Sequence, residues 1–217
     1  MGKTVVTAGL VGALREAAVD ACGVKPAQTG YPADDDAGFV ADACGSEAAA
    51  TCLRRLEPAL APAVAAEQAG ETLDYDAIRD DCARAIHAAT VGVVEGIGGL
   101  CVPLADGHEV IDLVADLNLS AVVVARPGLG TLNHTALTVE ALRRRDIEVT
   151  GVVLNDYTGE TLAERTNPGT IAEMTGCPVE TLPTLDIDSP ATPVEEVPDH
   201  LSTAVLPIAE HAREEAP

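Results

Sequence analysis

The chain has 217 residues, enough for one domain with a full hydrophobic core and too few for two, so residues 1–217 are read as a single unit. A formal net charge of −22 argues against nucleic acid and anionic membranes as partners, since both are held by clustered lysine and arginine. Acids this abundant beside only two lysines, Lys3 and Lys25, suit a protein dissolved in a very salty cytoplasm, where screening removes self-repulsion; a halophilic source and a cytoplasmic location are expected.

The aromatic residues are Tyr31, Phe39, Tyr75 and Tyr157, so the core is expected to be built from Val, Leu, Ile and Ala. Six cysteines show no C-x-x-C pair and no histidines at metal spacing, which predicts buried free thiols. No apolar run is long enough to span a bilayer, and the first residues lack the plan of a signal peptide.

Gly2-Lys3-Thr4 has the form of the last residues of a phosphate loop, G-x-x-x-x-G-K-[ST]. In such a loop backbone N–H groups cradle phosphates, the lysine reaches the terminal ones and the hydroxyl binds Mg²⁺. A sequence that otherwise avoids lysine places it where a compact point charge is needed rather than a guanidinium fork; the other reading of Lys3 is a solvated terminal charge. Thr4 to Glu16, apolar all round with small residues interspersed, predicts a helix sandwiched against a sheet. Val19 to Lys25 reads as a strand delivering Lys25 at its carboxyl end, where open α/β sheets bind ligands, and Pro26 ends the ladder because it has no N–H to donate. Gln28-Thr29-Gly30 follows as a loop. Asp34-Asp35-Asp36 either cap a helix over Ala37–Ala43, favoured by its dipole, or bind metal.

Alanine-rich sequence punctuated by Pro58, Pro62 and Gly70 predicts helices around 46–56, 60–68 and 74–89. Gly92-Val93-Val94-Glu95 is a buried-type strand ending in a carboxylate and running into Gly96-Ile97-Gly98-Gly99, where backbone can approach a ligand closely. Glu95 is therefore a site candidate rather than a solvent-facing strand-end acid. A helix near 109–118 and the apolar strand Ala121–Ala125 precede Gly128-Leu129-Gly130-Thr131-Leu132-Asn133, which opens a helix to about Arg145. That segment is half of a dinucleotide fingerprint, and what it retains is free N–H groups at a helix N-terminus that attract an anion; His134 packs or caps. Val149–Leu154 ends in Asn155-Asp156, an amide and an acid able to read a base by hydrogen bonds. A helix over 166–176, a strand Val179–Leu182 and a closing helix over 196–214 complete a parallel α/β sheet with helices on both faces.

With GVKPAQTG at 23–30, VVEGIGGLCVPL at 93–104 and GLGTLNHTALT at 128–138 in place, the chain resembles the dethiobiotin synthetases of biotin biosynthesis from Gly2 to about Leu185. The resemblance implies a homodimeric α/β protein of P-loop NTPase type, with ATP and Mg²⁺ as cofactors and diaminopelargonic acid, CO₂ and ATP as small-molecule substrates. The implied reaction carboxylates an amine to a carbamate, phosphorylates the carbamate and closes a ureido ring with the second amine. It implies that Lys3 and Lys25 are catalytic, Lys3 holding the ATP phosphates and Lys25 offsetting negative charge between carbamate and γ-phosphate. Gly2, Lys3, Thr4, Glu95, Gly98 and Asn155 would bind the nucleotide, with Asn155 reading adenine. Thr4, Asp36 and Glu95 would bind the metal. Thr29 would contact the amine end of the substrate, and the amides of Gly130, Thr131, Leu132 and Asn133 its carboxylate tail across the dimer interface.

Three features depart from that pattern. Asp34 is an alternate for Asp36, Ala17-Ala18 stands where a glycine is expected, and the strand and G-T-x-x-G-V run that begin the family's phosphate loop are expected upstream of Met1. Without them the first, central strand of the sheet is missing, and poor folding and little ATP turnover are expected. Two other classes share the fold. A regulatory or partitioning ATPase would carry a second lysine within the phosphate loop and an amphipathic membrane-targeting tail, whereas the acidic tail here would be repelled by anionic lipid. A cobyrinate-amidase-like ligase would carry a glutaminase domain, for which 217 residues leave no room.

Overall fold

The computed structural model describes residues 1–202 as parallel strands, with one short antiparallel pair, covered by helices. α1 (Lys3–Glu16) begins at Gly2 and ends at Ala17, after which the chain reverses through Ala18 at φ 62, with the Val19 N–H donating to the Leu14 carbonyl at 2.9 Å. Ala18 thus occupies the left-handed position for which a glycine was expected. A Cβ there costs about 1–2 kcal/mol, against about 0.4–1 kcal/mol of extra unfolded-chain entropy if glycine replaces it. Ala18→Gly should therefore raise stability by about 0.5–1 kcal/mol, read as a higher urea midpoint at unchanged slope.

β1 (Ala21–Lys25), β2 (Gln28–Thr29), α2 (Asp36–Ala43), β3 (Ala50–Cys52), β4 (Arg55–Leu56), α3 (Pro62–Ala69), α4 (Tyr75–His87) and β5 (Val91–Val94) form the first half of the molecule. β1 is the middle strand of a parallel sheet ordered β3-β1-β5. The helix expected over 46–56 is not formed: a 3₁₀ turn at Glu47–Ala49 leads into β3, in register Gly23↔Ala50 to Lys25↔Cys52, and then β4 pairs with β2. Alanine's helix preference is a weak prior, and pairing with a buried strand outweighs it.

The second half holds β6 (Pro103–Ala105), β7 (His108–Glu109), α5 (Val110–Asp116), β8 (Ala121–Ala125), α6 (Thr131–Arg143), β9 (Val149–Asn155), α7 (Leu162–Thr175), β10 (Val179–Leu182) and α8 (Thr192–Glu196). Its parallel sheet runs β10-β9-β8. α7 starts four residues before the expected 166 because Thr161 and Glu164 form a capping box, a T-x-x-E signature present in the sequence. Of the closing helix expected over 196–214, Glu196 ends α8 and Val197–His200 form a 3₁₀ turn; residues 203–217 lie outside the described ones.

β5 and β8 face each other across a cavity of about 530 Å³ and do not pair, so the parallel strands form two separate half-sheets. All four β5 residues are only half-buried, although a parallel strand covered on both faces is ordinarily buried throughout. α1 packs against both halves. Ala8, Val11 and Leu14 of α1 pack with Ala21, Val40 and Val194, while Val6 and Leu10 pack with Val153, Leu182 and Val197. Gly9 allows that arrangement, because a Cβ there would collide with Val197 and lie 2.8 Å from the Pro193 carbonyl oxygen. The outer face of the first sheet is closed by a cluster including Leu56, Ile78 and Leu104, and the second sheet packs Leu154 and Val152 against Leu142 and Ile171.

Candidate active site

The N-terminus of α1 lies against the carboxyl ends of both half-sheets, the place where ligands of open parallel sheets bind. Gly2 caps the helix at φ 84, and a Cβ on it would strike the Asn155 side chain at the end of β9. Glycine is needed there for both reasons. The first-turn N–H groups have no carbonyl one turn earlier, and no acid lies in that turn, so α1 presents a free positive dipole end flanked by Lys3.

β1 ends on Lys25, which is 5% exposed, and β5 delivers Glu95, also 5% exposed, in the next residue. The Glu95 N–H donates to the Val24 carbonyl at 2.9 Å, which extends the β1–β5 ladder by one step and fixes the carboxylate beside the ammonium. Lys25 Nζ donates to Glu95 Oε1 at 3.0 Å and forms an ion pair with Asp36, the first residue of α2. Thr4, in the first turn of α1, approaches both acids: its Oγ1 is 3.0 Å from Asp36 Oδ1 and 2.9 Å from Glu95 Oε1.

The run of aspartates divides its labour. Asp35 is the N-cap of α2 and accepts the Gly38 N–H at 3.0 Å, Asp36 enters the cluster, and Asp34 lies against Gly30. Cap and cluster are thus filled by neighbouring acids. Gln28 was read only as loop and takes part in the site: its Oε1 accepts the Asp36 N–H at 3.2 Å and its Nε2 donates to the Thr29 carbonyl at 2.8 Å.

Burial pushes the Glu95 carboxyl above its ordinary value, and the Asp36 charge adds to that against the pull of Lys25. Burial also raises Asp36, yet the hydrogen bond and charge of Lys25, with help from Thr4 and Glu95, leave it below the ordinary value. Lys3 is lowered by burial and by the neighbouring Lys25 ammonium.

The donor set fits a hard divalent cation. Thr4 carries one hydroxyl proton, which satisfies one of two carboxylate oxygens at a time, whereas a cation among the three oxygens satisfies all of them at once. The hydroxyl and carboxylate oxygens are the ligand type Mg²⁺ prefers, with further positions left for water or phosphate.

The structure therefore brings together Gly2, Lys3, Thr4, Lys25, Asp36, Glu95 and Asn155. Gly98, at φ 63, sits in the turn following Glu95. Thr29 is joined to the cluster only through Gln28. Gly130 caps α6 at φ 93, with Thr131 buried and bonded to Thr135 and Asn133 exposed; no described hydrogen bond links residues 130–133 to the acids and lysines.

Residues 1–186 match the AAA_26 family, described as an AAA domain. An ATP-dependent dethiobiotin synthetase from Haloferax mediterranei is 65% identical over 201 residues, covering 93% of this chain and 87% of that protein. Its counterpart from Anaeromyxobacter sp. (strain K) is 45% identical over 184 residues, covering 81% of each. Among solved structures, the septum site-determining protein MinD of Pyrococcus horikoshii, complexed with Mg-ADP, superposes with a TM-score of 0.56 over 98% of this chain and 90% of that one. At 15% identity that likeness shows the fold and nothing finer. The sequence identity, extending over most of both chains, means that the chain belongs to the dethiobiotin synthetase family.

Proposed function

We propose that this chain catalyses ATP-dependent closure of a cyclic urea, converting diaminopelargonic acid and CO₂ to dethiobiotin. The supporting observation is the convergence of Lys3, Thr4, Lys25, Asp36 and Glu95 at the amino end of α1, in a chain 65% identical to an ATP-dependent dethiobiotin synthetase. ATP bound with Mg²⁺ supplies the phosphoryl group that makes a carbamate oxygen a leaving group.

The remaining work falls to the chain's own groups. The free N–H groups of α1 and the Lys3 ammonium hold the phosphates. Thr4, Asp36 and Glu95 hold the ion, and Gln28 fixes the backbone from which Asp36 projects. Lys25, anchored at a strand end among buried carbons, offers a positive charge to the carbamate and to the phosphate it receives. The second amine then attacks the carbamate carbon and loses a proton, the C–O bond breaks, and phosphate departs carrying the former carbamate oxygen.

In this reading Asn155, which packs on Gly2, recognises adenine, and Gly98 lines the nucleotide; the contact of Asn155 with Gly2 supports the first assignment. Thr29 takes the amine end of the substrate. The N-terminus of α6 at Gly130, Thr131, Leu132 and Asn133 takes the carboxylate tail within a homodimer. The neighbouring Leu129, 99% exposed, favours a surface covered by a second copy. The test is dethiobiotin formation from diaminopelargonic acid that requires ATP, Mg²⁺ and bicarbonate together. ATP hydrolysis that proceeds unchanged without the diamine would refute the assignment.

A further inference from the structure

The cluster contains a cation of its own at the place where the functional reading puts a metal. Lys25 Nζ and Thr4 Oγ1 share one oxygen, Glu95 Oε1, at 3.0 and 2.9 Å, and both also reach Asp36. The two acids and two ammoniums, Lys25 and the half-buried Lys3, sum to zero charge. A divalent ion added to this set gives an excess of two positive charges in a place largely screened from water, where like charges repel most strongly. Lys3 lies on the helix it opens and makes no described ion pair with the acids, whereas the Lys25 ammonium bonds both of them and is the cation an incoming ion has to replace.

We infer that Lys25 is the resident counterion of the Asp36–Glu95 pair, that a divalent cation displaces it, and that this exchange delivers the ammonium to the reacting anion. The inference rests on the reading of Thr4, Asp36 and Glu95 as metal ligands. It adds an order of events: the lysine is withheld in an ion pair until the ion arrives, and binding of the ion and freedom of the lysine are two faces of one coupling. Lys25 thus acts in two places, holding the acids together first and facing the substrate afterwards.

The test is Mn²⁺ binding in the absence of nucleotide, followed by the paramagnetic signal of the free ion. Lys25→Gln removes the competing charge and is expected to bind Mn²⁺ about tenfold more tightly than the unaltered chain. The double variant Lys25→Gln, Glu95→Gln should lose that gain. Equal or weaker binding by Lys25→Gln would overturn the exchange, because it would mean that ammonium and ion share the carboxylates without competing.

A second measurement uses the unaltered protein, in case the variant does not fold. With only two lysines in the chain, amine acylation read by mass spectrometry reports each one separately. Labelling of Lys25 should rise as Mg²⁺ is added while that of Lys3 does not. Unchanged Lys25 labelling at saturating Mg²⁺ would likewise overturn the proposal. The bicarbonate- and ATP-dependent assay on the same preparation separates that failure from failure of the functional reading.

Discussion

Lys25→Met is expected to lower stability by about 3–5 kcal/mol at pH 8 and to slow product formation roughly 10³-fold. The stability loss follows from what remains: Glu95, 5% exposed, and Asp36 would face each other with no ammonium between them. Breaking a buried pair by removing one partner leaves an uncompensated charge, and that penalty exceeds what the intact pair contributes. The rate loss follows from position, since no other ammonium except Lys3 reaches the cluster.

The deficit should depend on pH in one direction. Glu95 is already raised above its ordinary 4.5 by burial, and removing Lys25 raises it further because the lysine's charge and hydrogen bond pull it down. The native variant then holds a proton that the unfolded chain has released, so its stability falls as pH rises from 4.5 through the raised native value. Urea midpoints of variant and unaltered protein should therefore lie closest at or below pH 4.5 and be fully separated above the raised value. A gap that widened on acidification would contradict the arrangement.

Glu95→Gln should separate the two readouts. The amide keeps the carboxylate's shape and retains an oxygen for Lys25 and Thr4, which both donate to Oε1. A raised native pKa means that ionised Glu95 costs folding energy at neutral pH, so the neutral isostere is expected to be more stable by on the order of 1 kcal/mol. Product formation should nevertheless drop roughly 10²-fold or more, because the cation loses one of two charged ligands. Thermal melts and initial rates on one preparation check both halves. A destabilised variant that kept its rate would make Glu95 a structural prop.

Much of this site was legible in the sequence because its residues end regular elements. Lys25 closes an apolar strand, Glu95 follows another, and Gly2-Lys3-Thr4 opens a helix, so periodicity and the carboxyl-end rule placed each one. Asp36 was less legible. Three consecutive aspartates share one composition, and only the path of the chain into α2 decides which of them caps and which faces Lys25. Gln28 was missed because its task is to hold another residue's backbone, and no local pattern marks that task. The stretch 46–56 was misread for a related reason: its alanines favour a helix by roughly a few tenths of a kcal/mol each, while pairing with β1 contributes through contacts to residues as distant in the chain as Gly23 is from Ala50.

What the sequence determined unaided was chemistry and order: the scarce lysines, the apolar strands, the glycines that let backbone come close, and the family likeness these carry. What the tertiary structure decided was charge pairing and continuity. Only the fold shows that Lys25 lies between Asp36 and Glu95 and that α1 spans two half-sheets with a cavity between β5 and β8. The physical reason is that helix and strand signals are local, whereas an ion pair or a gap in a sheet depends on residues seventy positions apart being brought to one point, as Lys25 and Glu95 are.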